Sequence, residues 1–177
     1  RHYDSPALKG IPIMSLLPEG NQLWLATQSR GLALWDETNG TVRWFDERQA
    51  LPDDWITVLA KSNGDIYAGT FVGGLARRSS DSWTSWKELH GENVTALEPD
   101  ANGGLTIATR HGLWQLASND QLTPMSLPWL DTEVQALCRT PHGLWIGART
   151  SLNYQPTERS HMAGGATSRS HEVKCEP

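Results

Sequence analysis

Trp55 directly follows Asp53 and Asp54, and this trio is the clearest candidate in the chain for binding chemistry. An indole face can stack on the apolar side of a sugar ring while the two carboxylates accept hydrogen bonds from its hydroxyls. The competing reading makes Trp55 a plug between neighbouring elements and the aspartates a solvated acidic turn. A second set is basic. Arg30, the pair Arg110-His111 and Arg149 recur at comparable places, with Phe71-Val72 at the corresponding place between the first two. A guanidinium offers a fixed fork of donors that suits a carboxylate or a sulfate. Acidic and polar residues accompany them: His90, Glu92 and Asn93 in one cluster, Asp131 and Glu133 in another. Pairing between these acids and the basic residues would serve equally well to hold the fold together.

Signatures of catalysis are missing. The sequence contains no Gly-x-Ser-x-Gly, no His-Glu-x-x-His, no phosphate loop and no dinucleotide fingerprint. The expectation is therefore a chain with no chemistry of its own, no cofactor and no metal. His171 and Cys175 have a ligand-like spacing, but two ligands fall short of a zinc site. Asn39-Gly40-Thr41 and Asn93-Val94-Thr95 match the glycosylation sequon, yet Asn39-Gly40 already reads as a turn.

The elements that must position these residues are repeats. Leu23-Trp24-Leu25-Ala26-Thr27, Ile66-Tyr67-Ala68-Gly69-Thr70, Leu105-Thr106-Ile107-Ala108-Thr109 and Leu144-Trp145-Ile146-Gly147-Ala148 recur about 40 residues apart. After each comes a small residue and Leu: Gly31-Leu32, Gly74-Leu75, Gly112-Leu113 and Ser151-Leu152. Ahead of each lies an apolar pair, Ile13/Leu16, Ile56/Leu59, Val94/Leu97 and Val134/Leu137, followed by a turn rich in Asn, Asp or Gly. Such spacing predicts four short antiparallel strands per repeat, the first mostly apolar and the last variable. No stretch shows helical periodicity. The fold class is all-β, built as β-propeller blades.

The predicted blades are residues 11–46, 55–89 and 93–129, with a partial blade over 134–154. Arg1-His2-Tyr3-Asp4 matches Arg43-Trp44-Phe45-Asp46, so 1–4 reads as an outer strand. Paired termini could close a four-bladed ring; the favoured reading is a cut-out of a larger one. Trp24, Trp35, Trp114 and Trp145 are expected to wedge between blades. Residues 155–177 lose the pattern and read as a disordered or foreign tail. Under this layout Trp55, Glu92 and Glu133 lie in lead-in loops to first strands. Arg30, Arg110, His111 and Arg149 lie in the loops between second and third strands.

The element Leu-Trp-x-Gly/Ala-Thr-x-x-Gly-Leu, carried best by Leu23–Leu32, resembles the two-component regulator propeller repeat. Ile66–Leu75 and Leu105–Leu113 follow it with Tyr67 and Thr106 at the Trp position. The fourth copy departs most, with Ala148 for Thr and Ser151 for Gly. The resemblance covers residues 1 to about 154. It implies part of a ring of usually seven blades, the periplasmic or extracytoplasmic ligand-binding sensor of bacterial hybrid histidine kinases or diguanylate cyclases. Its ligand would be a small molecule or an oligosaccharide. Any membrane attachment would come through flanking segments. Streptogramin-lyase propellers share related repeats, and a lyase would have to use His90, His111 and Glu92 with a metal at the ring axis. A third expectation is an assembly module whose exposed blade faces and strand edges pair with other copies.

Composition bounds these readings. Nine Trp and 16 Gly in 177 residues fit a turn-rich β fold with large packing residues. A net charge of −5 gives no electrostatic footprint for nucleic acid. No apolar run approaches the roughly 18 residues a membrane span needs. Two cysteines cannot make a disulfide scaffold.

Overall fold

The structure, a computed structural model, describes residues 5–127 and 133–157. The outer strand read at 1–4, Asp131 and nearly all of the predicted tail lie outside the described residues. Four antiparallel sheets follow one another along the chain. The first holds β1 (Ile13–Glu19), β2 (Gln22–Thr27), β3 (Leu32–Asp36) and β4 (Val42–Phe45) in that spatial order. The second holds β5 (Ile56–Ser62), β6 (Asp65–Thr70), β7 (Leu75–Ser79) and β8 (Ser82–Ser85). β9 (Val94–Pro99), β10 (Leu105–Thr109), β11 (Gly112–Leu116) and β12 (Leu122–Met125) form the third. The fourth has three strands: β13 (Val134–Thr140), β14 (Gly143–Ala148) and β15 (Leu152–Pro156). β15 runs on through Gln155 and Pro156, two residues that the sequence reading assigned to the tail.

Local chemistry explains the hairpins. Asn63 and Gly64 both have positive φ, 50° and 86°, and join Ser62 to Asp65 in a two-residue turn. That backbone geometry matches the right-handed twist of the strands it connects. The first strand of every sheet also carries a register shift near its start, at Ile13/Ser15, Ile56/Val58, Ala108/Thr109 against Val94, and Val134/Ala136. A bulge re-aims one side chain out of the pleat. Thr57 and Thr95 are those residues in the second and third sheets. Each donates its hydroxyl, at 2.6 Å, to the carbonyl that opens the next sheet, Val94 and Val134 respectively.

The sheets pack face to face through their first strands, β1 on β5, β5 on β9 and β9 on β13. This packing is not repeated between β13 and β1. Three seams make the core. In the first, Trp24, Ala26, Leu32 and Phe45 meet Ile56, Leu59, Ile66 and Ala68. In the second, Ala60, Tyr67 and Leu75 meet Leu97, Leu105, Ile107 and Leu116. Ala108 and Leu113 meet Val134, Leu144 and Ile146 in the third. Each large side chain so buried contributes roughly 1.5–3 kcal/mol. Trp24 is a wedge as expected, fully buried, and Trp114 packs on the second seam. Trp145 departs from that expectation: it is exposed, tilted against Tyr154 of its own sheet.

Candidate functional site

The repeated Thr sets the geometry of one rim. Thr27 and Thr70 are buried at the ends of β2 and β6, and donate their hydroxyls to the Gly31 and Gly74 carbonyls at 2.8 and 3.0 Å. Each closes the loop from the second to the third strand of its sheet. Gly31 and Gly74 have positive φ, and a Cβ at either would collide with a backbone carbonyl, of Phe45 or of Leu89. Both constraints together demand glycine. Thr109 makes the same closure to Gly112 at 3.4 Å, and Ala148 in the fourth sheet has no hydroxyl to make it.

Backbone hydrogen bonds then stitch these loops to the lead-in loops. Gln28, Phe71, Arg110 and Arg149, each the first residue after a second strand, donate their N–H to Pro12, Trp55, Asn93 and Glu133. Those four acceptors each stand just before a first strand. Two further bonds cross between sheets, Gly31 N–H to the Asp54 carbonyl at 2.7 Å and Gly91 N–H to that of Val72 at 2.8 Å. The result is a continuous strip of loops along one edge, and Arg30, Asp53, Asp54, Trp55, Glu92, Arg110, His111 and Arg149 lie on it.

Their side chains are largely engaged with one another. Asp53 accepts from the Trp55 N–H through Oδ1 and from the Val72 N–H through Oδ2, both at 2.9 Å. Asp54 accepts from the Glu47 N–H at 3.0 Å. Both aspartates therefore hold loops together. Trp55 stacks on Phe71, with ring centroids 4.1 Å apart and planes 10° from parallel. Its Nε1 is buried without a hydrogen-bond partner. Phe71, the residue that interrupts the basic series, is thus half of an aromatic platform. Arg110 lies 6.0 Å from the Phe71 ring and pairs through Nε with Glu133 at 2.9 Å. His111 Nδ1 is 3.0 Å from Glu92 Oε2. Arg30 stacks at 4.2 Å over Trp44, an outer-strand residue, rather than reaching an acid. Arg149 is exposed.

Sequence reasoning missed a second polar cluster, at the opposite edge. Arg139 crosses from β13 to the third sheet and donates to the Pro99 carbonyl at 3.1 Å and to Thr106 Oγ1 at 2.9 Å. Thr106 in turn donates to Gln115, which donates to Asp100. A cleft of about 230 Å³ opens beside them, lined also by Met125, Leu144 and Gln155. The available signal was a polar Thr106 where the other repeats carry Trp or Tyr. On the same edge Glu19 accepts from Lys61 Nζ at 2.6 Å and from Trp24 Nε1 at 2.9 Å. Lys61 first, then Trp24, hold its carboxyl below the ordinary range against the opposing effect of burial. Among the described residues no group of three or more His, Cys, Asp or Glu is placed to hold a metal ion.

No protein-family model and no curated protein matches the chain. Solved structures do. The computationally designed protein Ika4 is similar at 17% identity with a TM-score of 0.69, over 84% of this chain and 93% of that one. The extracellular domain of the putative hybrid two-component system BT3049 from B. thetaiotaomicron is similar at 22% identity and a TM-score of 0.66. That match covers 85% of this chain but spans only 22% of the sensor domain. A catalytically inactive virginiamycin B lyase from Staphylococcus aureus, with quinupristin, is similar at 18% identity and a TM-score of 0.69, covering 86% of this chain and 53% of the lyase. The two-component extracellular domains are the class of structure that the repeat resembles. No helix among the described residues is long and apolar enough to cross a membrane. At these identities the likeness is one of fold, and together with the four stacked antiparallel sheets it makes this chain a β-propeller segment.

Proposed function

We propose that the chain is a ligand-binding segment of an extracytoplasmic sensory propeller, without catalysis of its own. The observation that supports this most is the rim strip, where the Trp55–Phe71 platform stands beside Arg110, with His111 and Arg149 in loops further along the same strip. A stacked aromatic pair next to exposed cations suits an oligosaccharide bearing carboxylate or sulfate groups. Asp53 and Asp54 support the platform by fixing its loops, Glu133 orients Arg110 and Glu92 orients the His111 ring. Screening against uronic-acid and sulfated oligosaccharides, followed by calorimetry, tests the reading. Trp55→Ala and Arg110→Ala should each weaken binding at least about tenfold, the loss of roughly 1.4 kcal/mol. Unchanged binding in both variants, with melting temperatures also unchanged, sinks the rim as the site.

One observation favours a second reading. A histidine oriented by a carboxylate, as His111 is by Glu92, is a group that can move protons. The similarity to virginiamycin B lyase gives that pair a reaction to test. Turnover of quinupristin by this chain, abolished in His111→Ala, would make it an enzyme; no turnover ends this reading.

A further inference from the structure

The first and third seams place different residues at equivalent positions. Thr106 on β10 corresponds to Trp24 on β2, and each pairs across its sheet, Thr106 with Gln115 and Trp24 with Leu34. On the facing sheet Arg139 corresponds to Lys61, both lying two residues past the second leucine of the first strand. In the first seam these places are filled. Trp24 is fully buried, and the Arg78 guanidinium lies 5.3 Å from its ring. Lys61 Nζ and Trp24 Nε1 both donate to the Glu19 carboxylate. An indole and a carboxylate thus meet the cation at one edge of that seam. The third seam supplies neither. Thr106 is far smaller than an indole, and the cleft of about 230 Å³ opens beside it. Arg139 spends Nε on the Pro99 carbonyl and Nη2 on Thr106, and makes no ion pair among the described residues. Asp100 stands at the place of Glu19 but is committed elsewhere: Oδ1 accepts from the Asn102 and Gly104 N–H groups, and Oδ2 from Gln115.

We propose that this cleft binds a small aromatic carboxylate, whose ring and anion take the roles that Trp24 and Glu19 play in the first seam. Met125 and Leu144 provide apolar walls for the ring, and Gln155 offers an amide at the margin. The free Nη1 of Arg139 completes a fork for the carboxylate, a planar match that an ammonium group could not give. At about 230 Å³ the cleft holds one ring system with a short acidic arm, and is too small for an oligosaccharide. It lies between two sheets that face each other within the chain. A blade following the fourth would pack on that sheet's other face, so the seam is formed whether or not one follows. The cleft sits at the edge opposite the rim strip. The inference therefore goes beyond the sensory reading and does not depend on it.

Calorimetry on the full 177-residue chain, with indole-3-acetate as the probe, provides the test. The wild-type chain should bind it with a dissociation constant on the order of 1 mM or tighter, as expected for a ligand of that size. The neutral indole-3-acetamide should bind at least about tenfold more weakly, because it forfeits the charge-assisted bonds to Arg139. Arg139→Gln should weaken indole-3-acetate by a similar factor. Thr106→Trp, which restores the residue type of the first seam, should fill the cleft and remove binding. Melting temperatures of both variants show that the fold is kept, and if Thr106→Trp does not fold, Arg139→Gln decides alone. Trp55→Ala, on the rim, should bind the probe as the wild type does. The inference is overturned if the wild-type chain binds no probe, or if the acid and the amide bind equally. It is also overturned if folded Arg139→Gln or Thr106→Trp binds unchanged, or if binding is lost in Trp55→Ala, which would move the probe to the rim.

Discussion

Trp24 and Trp145 occupy the same place in their repeats, yet one is fully buried and the other stands in the open. The first loses its water to the second sheet, which sets Ile56, Leu59, Ile66 and Ala68 against it. Trp145 is tilted against Tyr154 of its own sheet and remains 40% exposed. Strand formation is equivalent at the two sites, since both tryptophans sit in regular antiparallel ladders. What differs is the neighbour. A blade of this kind is half of a core, and its apolar residues yield free energy only when the next blade arrives.

The largest expected effect probes that difference directly. Trp24→Ala should cost about 3–5 kcal/mol in urea unfolding, from lost transfer energy and the cavity left behind. Trp145→Ala, at concentrations where the chain is monomeric, should cost about 1 kcal/mol or less. Equal costs break the comparison.

A smaller effect separates turns committed to a seam from turns that are free. Gly74→Ala combines a left-handed backbone with a collision at the Leu89 carbonyl, and should cost upwards of about 2 kcal/mol by thermal unfolding. Gly64 is also left-handed, but a Cβ there meets nothing within 4 Å, so Gly64→Ala should cost only about 1 kcal/mol. The reverse order would mean that the loop between second and third strands is not held as described.

The smallest effect concerns the polar edge of the first seam. Glu19 is held below its ordinary value of 4.5 by Lys61 and Trp24. A carboxyl depressed in the folded state contributes stability above its unfolded value, and that contribution disappears as pH falls through the folded one. Glu19→Gln should therefore cost about 0.2–1 kcal/mol at neutral pH, less in high salt, and almost nothing once the pH is well below 4.5. Identical pH profiles for the two proteins would show that the bridge carries no weight.

Much of this architecture was legible in the residues. The turns at Gly20, Asn63-Gly64 and Pro141-His142, the near-continuous apolar runs of β2 and β6, and the Gly-Leu start of β3 and β7 are local signals. They repeat because each blade solves the same backbone problem. The candidate rim was legible as a place: Arg30, Asp53, Asp54, Trp55, Glu92, Arg110, His111 and Arg149 lie along it, because loops of one type in a repeat must emerge at one edge. Its wiring was not legible. Asp53 and Asp54 spend their oxygens on the N–H groups of Trp55, Val72 and Glu47. Arg110 finds Glu133, whereas Arg30 finds Trp44. Phe71 looked like an interruption of a basic series and is instead the partner of Trp55. The Arg139–Thr106–Gln115 cluster went unseen because its members belong to different strands and meet only across a seam.

By itself, then, the sequence determined the period, the hairpins and which side chains share a face, since those depend on φ, ψ and pleat within a few residues. Tertiary structure alone decided which acid meets which cation, and that the bulge hydroxyls of Thr57 and Thr95 reach the next sheet. It also decided which of two equivalent tryptophans is buried. Those outcomes depend on a surface about 40 residues away or at the far end of the chain, and a repeat carries no local record of whether its neighbour is present.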